Sequence, residues 1–404
     1  MDDEYIGQVR RTAAAMAEKL TALRRHLHAY PEISWQEVET SRLIASKLEE
    51  IGLKPRIGTT GKPVGVVADL VCGGDAKPCV ALRADIDALA FGEESDLEYR
   101  SLNSGAMHAC GHDAHITMLL GAAEILYSMK DRLRGQVRFI FQPAEEHGLI
   151  SGAEAMIKDG VLEGVDAIAG MHLWSHVPSG RVQWRCGPVM ASSDVWEVRF
   201  QGKGGHGAMP QKTVDPTVIA ANFILALQTI VSREIDPLQT CVISAGKFHC
   251  GDVTNVIPNT AELSGNVRTF SLDVRDSAEA ALVRIAKSVA ETYRGSAETK
   301  YIYVYPHPVN NDPALAELFR DVAVQVVGGD NVEESPMLMT SEDFSFYQTQ
   351  VPGVFFFLGS GDPEKETTAP HHSSRFNVDD AVLPAGVSLL ASFAGAALEK
   401  LGEK

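Results

Sequence analysis

Hydrophobic positions recur at helical spacing over residues 9–28, and the pattern stops at Tyr30-Pro31, where a proline cannot continue a helix. Residues 37–51 keep the same period and end at Gly52, the residue type best suited to the turn beyond a helix C-terminus. Short apolar runs at 64–71 and 79–82 then predict strands. An amphipathic helix is predicted over 116–129, followed by strands at 137–141, stopped by Pro143, and at 165–171. Alternation of this kind predicts an α/β sheet with helices on its faces.

Near Ser193 the texture changes. Residues 195–200 alternate apolar and polar, as a sheet with one wet face does. A Gly-rich bend at 202–207 leads to a helix at 216–233, strands at 240–248 and 260–269, a helix at 277–293 and a strand at 300–305. In order this is β-α-β-β-α-β, the split βαβ (ferredoxin-like) unit. Beyond Pro308 the first texture returns, with a helix at 313–327, a strand at 354–358 and a closing helix at 383–401. The expected division is therefore 1–190 with 308–404 as one domain and 191–307 as a domain inserted into it. A length of 404 residues agrees, since one core rarely grows so large.

Composition narrows the function classes. A formal charge of -17 opposes binding to nucleic acid or to an anionic membrane surface, which needs basic stripes. No apolar run is expected to approach the roughly 20 residues of a membrane span. The acidic start, Met1-Asp2-Asp3-Glu4, is unlike a secretory signal. Six scattered cysteines show no disulfide framework. A cytoplasmic protein with reduced thiols is expected.

The chemistry concentrates in Met107-His108-Ala109-Cys110-Gly111-His112-Asp113-Ala114-His115, one thiol and three imidazoles in nine residues. Cys and neutral His are ligands for zinc-like ions, and Gly111 allows a tight backbone between two of them. Four further stretches follow predicted strands: Arg83-Ala84-Asp85-Ile86-Asp87, Gln142-Pro143-Ala144-Glu145-Glu146-His147, Met171-His172-Leu173-Trp174 and Pro370-His371-His372-Ser373-Ser374. Open α/β sheets build sites at that end of their strands. Adjacent Glu145 and Glu146 diverge on an extended turn, so one can bind metal while the other holds a proton.

These segments, with Gly202 to Pro210 and Asn255-Val256-Ile257-Pro258, resemble the amidohydrolase branch of the di-metal peptidases in the same order along nearly the whole chain. That branch includes hippurate hydrolases, N-acyl-amino-acid amidohydrolases and plant indole-acetyl-amino-acid hydrolases. The resemblance implies a mixed-sheet α/β/α di-metal hydrolase domain carrying an inserted lid or dimerisation domain. It implies Cys110, His112, Glu146, His172 and His372 as ligands of two divalent ions, with Glu145 as general base and Asp85 orienting a ligand. It further implies that His206 enters the neighbouring subunit's site in a homodimer or higher oligomer. Asn255 and Arg268 are candidates for holding the substrate carboxylate; turn capping and a sheet-surface charge are their alternative readings. The thiolate favours zinc over magnesium or calcium, while manganese, cobalt and nickel stay open.

His26 and His28 read as structural, and His108 and His115 as outer-layer or surface residues rather than ligands; His371 is an alternative to His372. The expected reaction is metal-dependent hydrolysis of an N-acyl amino acid to a carboxylic acid and an amino acid. A deacetylase or a dipeptidase or carboxypeptidase acting on small peptides is the enzymatic alternative, and a silent amino-acid-binding protein the other. Glu145 argues against the last, because a binding module needs no second carboxylate beside the ligand.

Overall fold

The computed structural model describes residues 3–403. It resolves two compact units. The larger takes in the chain up to Val189, Asn310–Pro336 and the chain from Asp343 onward; the smaller is Met190–Val309 with Met337–Glu342.

The larger unit holds an eight-stranded mixed sheet in the order Arg56–Thr59, Lys62–Cys72, Gly135–Gln142, Cys79–Asp85, Ala167–Pro178, Gly353–Gly361, Val182–Trp184, Val332–Glu334. Its middle four strands are parallel. Register sets Asp85 opposite Gln142, Arg83 opposite Gly170 and His172 opposite Phe357. The chemical segments therefore come to one level at the C-terminal end of the parallel strands. His172 lies inside its strand, which runs on to Pro178, rather than just beyond the end expected at 171.

The helix expected at 277–293 starts earlier, at Leu272, and runs to Thr292, and two others differ in kind. The stretch expected as one helix over 9–28 is two, Asp3–Ala15 and Ala17–Ala29, broken at Met16. The first packs on the closing helix Leu383–Gly402 and the second on His112–Ser128, so the chain bends between two different partners. His112–Ser128 is also not amphipathic. It is buried on nearly every side, enclosed by Ala17–Ala29, Val38–Ile51, Leu383–Gly402 and the sheet.

The smaller unit is an antiparallel sheet in the order Cys241–Cys250, Thr260–Thr269, Ser192–Gln201, Ser296–Tyr305. The helices Pro216–Thr229 and Leu272–Thr292 cover one face and bury Trp196, Phe200, Phe223, Leu263 and Leu282 between the layers. Met337–Glu342, which the sequence pattern leaves with the flanking chain, joins this unit through a Met190–Leu338 bridge and hydrogen bonds from Ala191 N–H to Leu338 O and Thr340 O.

Two segments, Asp380–Gly402 and Pro216–Glu234, have the length and hydropathy of a membrane span, which corrects the expectation that no run approaches it. The first is a core helix with 83% of its apolar window buried. The second lies on the smaller unit's sheet through Ile219, Phe223 and Leu227.

Candidate metal centre

Cys110 and His112 flank Gly111, whose φ of 88° is the left-handed turn that starts the helix His112–Ser128. His112 Nδ1 lies 2.9 Å from the carbonyl of Asp87 and 3.3 Å from its Oδ1, which fixes the ring proton on Nδ1. Nε2 is buried without a hydrogen-bond partner. His172 is seated the same way, with Nδ1 donating to Leu173 O at 2.5 Å and Nε2 3.4 Å from Cys110 Sγ. His372 sits in the left-handed region, φ 64°, held by its N–H to Ala109 O at 2.9 Å. Its Nε2 is 3.2 Å from Glu146 Oε1.

Two ligand sets share the thiol. Cys110, His112 and His172 bring one donor atom each within 4.8 Å of one another, and so do Cys110, Glu146 and His372. Glu145 joins His112 and Glu146 in a third group at the same separation. All five implied ligands and the implied base thus meet in the larger unit. The His372 side chain is 53% exposed while His112 and Glu146 are at 1% and 11%, so the centre opens on the His372 side.

Electrostatics fit a cation here. Burial works to lower the His112 pKa, but Asp85, then Asp87 and Glu146, overcome it and push it up to about 10. Burial, then Glu146, Glu145 and Asp85, hold the Cys110 thiol well above its ordinary range. His172 is pushed well below the imidazole range by burial and by His115 and His371, which leaves it neutral and ready to donate a lone pair. The carboxylate of Glu146, the thiol of Cys110 and the three imidazoles of His112, His172 and His372, with His112 Nε2 buried and without a hydrogen-bond partner, form the donor set of zinc-like ions.

Asp85 Oδ1 lies 3.7 Å from His112 Nε2. The same oxygen accepts from His115 Nδ1 at 2.6 Å and Asp85 Oδ2 from Arg83 at 2.7 Å, all three residues buried. His115 uses its other nitrogen to accept Leu173 N–H at 2.9 Å, so it is a second-layer group, as the sequence reading has it. Asp87 seats His112 through its main-chain carbonyl, with carboxylate Oδ1 alongside, and its Oδ2 accepts Glu146 N–H at 3.0 Å and the Ser34 hydroxyl at 2.6 Å. The sequence pattern assigns Asp87 no role; its place two residues past the strand Cys79–Asp85 is the signal that points to it. His371 packs its ring 5.2 Å from that of His172 but commits its nitrogens elsewhere, Nε2 donating to Leu173 O at 2.9 Å and Nδ1 lying 3.4 Å from the Ser175 hydroxyl.

The remaining candidates lie in the smaller unit. His206 pairs with Val256 across two short strands, and Gly207 N–H donates to Asn255 O at 2.8 Å, so His206 and Asn255 are neighbours. His206 Nδ1 accepts Ala208 N–H at 3.0 Å, which puts the neutral ring's proton on the exposed side's Nε2. Arg268, on Thr260–Thr269, donates to Ser341 Oγ at 3.0 Å and Met339 O at 3.3 Å. Burial lowers its pKa.

Residues 81–396 match peptidase family M20/M25/M40. The chain belongs to this family. It is similar to thermostable carboxypeptidase 1 of Saccharolobus solfataricus, 40% identical over 385 residues, covering 95% of this chain and 96% of that one. It is also similar to IAA-amino acid hydrolase ILR1-like 4 of Arabidopsis thaliana, 42% identical, covering 93% and 84%. Among solved structures, the Bacillus subtilis YXEP protein, described as a dinuclear metal binding peptidase from the M20 family, superposes with a TM-score of 0.84 at 34% identity, covering 96% and 99%. The resemblance read from the sequence holds. This M20 chain is a metal-dependent hydrolase acting on amide bonds of small molecules or peptides, and its ligand groups support two divalent ions.

Proposed function

We propose that the chain hydrolyses the amide of N-acyl amino acids, hippurate-like or N-acetyl, to a carboxylic acid and a free amino acid. The observation that carries this reading is the sharing of Cys110 between two ligand triads with Glu145 alongside. Cys110, His112 and His172 would hold one ion and Cys110, Glu146 and His372 the other, zinc first, with manganese, cobalt or nickel as alternatives. When bound, the ions supply Lewis acidity to the amide carbonyl and the attacking water. Glu145 takes the proton from that water and passes it to the leaving nitrogen. His206, with its proton on Nε2, donates to the tetrahedral oxyanion in the neighbouring subunit's site. Arg268 and Asn255 hold the substrate carboxylate; Arg268 suits that task because Ser341 Oγ and Met339 O, to which it donates, are neutral oxygens.

A homodimer is part of this reading. The helix Pro216–Thr229 leaves Val218 and Leu225 exposed, Leu225 at 70%, and Cys241–Cys250 is an edge strand. The six free thiols support a reducing, cytoplasmic compartment. The carboxypeptidase name of one relative keeps small peptides in the substrate class.

The test is release of free amino acid from N-benzoyl-glycine, N-acetyl amino acids and dipeptides by metal-stripped protein, with and without zinc, manganese, cobalt or nickel. Metal-restored turnover of the acylated amino acids is expected. Turnover of dipeptides alone would replace the reading with a peptidase, and silence with two ions bound would favour a binding protein.

A further inference from the structure

Glu37 immediately precedes the helix Val38–Ile51, yet its carboxyl group does not cap that helix. Glu32 does so instead, accepting the N–H groups of Glu39 and Thr40 at 3.2 and 2.8 Å. Glu37 is fully buried, and its Oε1 accepts the N–H of Ala144 at 2.8 Å, 107 residues away in the chain. Ala144 is the residue before Glu145-Glu146, and its φ is 53°. The left-handed region costs a residue with a Cβ about 1–2 kcal/mol, so something must hold it there. Its carbonyl accepts Gly152 N–H at 3.3 Å, and there is no room to spare: a Cβ on Gly152 would lie 1.6 Å from Pro143 O. Two residues on, Glu146 N–H is held by Asp87 Oδ2 at 3.0 Å. Glu145 is thus bracketed by two backbone amides, each anchored on a buried carboxyl group from a distant segment.

We propose that Glu37 is a positioning residue for Glu145 and Glu146, acting through the Ala144 amide to hold the left-handed turn that aims both side chains. This rests on the roles given above to Glu145 as base and Glu146 as ligand. What Glu37 supplies is an acceptor oxygen rather than a charge. Burial and then Asp87 push its pKa up to about 8, and the protonated carboxyl still offers its carbonyl oxygen to Ala144. Glutamine offers the same oxygen. Methionine has the same unbranched length without it, and it suits a buried position.

The test compares Glu37→Gln and Glu37→Met with the parent in two ways: cobalt titration of metal-stripped protein followed by absorption, and kcat and KM at saturating metal. Circular dichroism checks folding. Outer-layer partners of metal sites carry about 10–100-fold in metal affinity or rate. Glu37→Met should lose that much in affinity for one ion and in kcat, with KM within about threefold, while Glu37→Gln stays within about threefold of the parent throughout. A folded Glu37→Met that matches the parent would overturn the proposal, as would Glu37→Gln falling as far as Glu37→Met. If Glu37→Met does not fold, Glu37→Gln decides alone, a loss of tenfold or more counting against the proposal. A parent without turnover on any substrate would refute the functional reading separately, and the cobalt titration would still decide the role of Glu37.

Discussion

Replacing Asp87 by Asn, beside the same change at Asp85, distinguishes a carboxylate that serves the metal centre alone from one that also holds the fold. Asp87 Oδ1 lies 3.3 Å from His112 Nδ1, and Oδ2 accepts both Ser34 and Glu146 N–H. Asp87→Asn keeps the volume and the main-chain carbonyl that holds His112, but leaves one acceptor oxygen for those partners. Its amide N–H would then face either the His112 ring N–H or the Glu146 N–H. Loss of such an outer contact weakens metal binding by about 10–100-fold, equivalent to about 1.4–2.7 kcal/mol. Asp85→Asn removes the charge beside His112 Nε2 and also strips it from the buried Arg83 and from His115, with Asp343 still 2.9 Å from Arg83. Breaking a buried pair costs about 3–5 kcal/mol of folding free energy. The assay is chelator competition for metal affinity with urea unfolding of the metal-stripped proteins. Asp87→Asn should lose affinity with little change in urea midpoint, and Asp85→Asn should shift the midpoint down. Parental metal affinity in Asp87→Asn, or an equal loss of stability in both, would refute the assignment.

Glu145→Gln should keep both ions and lose at least about 10²-fold in kcat; turnover within tenfold of the parent would remove it as base. Metal affinity should rise with pH, because Cys110, raised by burial and the surrounding carboxylates, and His112, raised by Asp85, Asp87 and Glu146 against burial, must shed protons to ligate. Between about pH 6 and 8 each released proton gives about tenfold per pH unit, and a flat chelator titration would contradict this. Mixing His206→Ala with Glu145→Gln protein should give one intact site per mixed dimer and activity above either variant alone. Silence in a dimer verified as mixed would rule out the histidine acting across subunits.

The parts of the fold carried by local pattern were legible. The strand at Thr260–Thr269 and the helix at Pro313–Val327 fall where apolar spacing and flanking turn residues put them. The segments that come together at the centre were legible too, because thiol, imidazole and paired carboxylates are chemically narrow residue types, though His172 lies inside its strand rather than past its end. Contacts between distant segments were not. Nothing local to Glu37 points to Ala144, and nothing in Arg83-Ala84-Asp85-Ile86-Asp87 tells which carboxylate reaches His112. Both do: strand pairing sets Asp85 among Arg83, His115 and, at 3.7 Å, His112 Nε2, while the loop residue Asp87 reaches His112 Nδ1 and the Glu146 amide. The break at Met16 likewise depends on which helices the two halves meet, not on their own sequence.

The most direct measurement of the central claim is anomalous diffraction from a zinc-loaded crystal. The account predicts two ions, with Cys110 Sγ about 2.3 Å from each, His112 and His172 on one ion, and Glu146 and His372 on the other. A single ion, or two ions with Cys110 bound to neither, would contradict it.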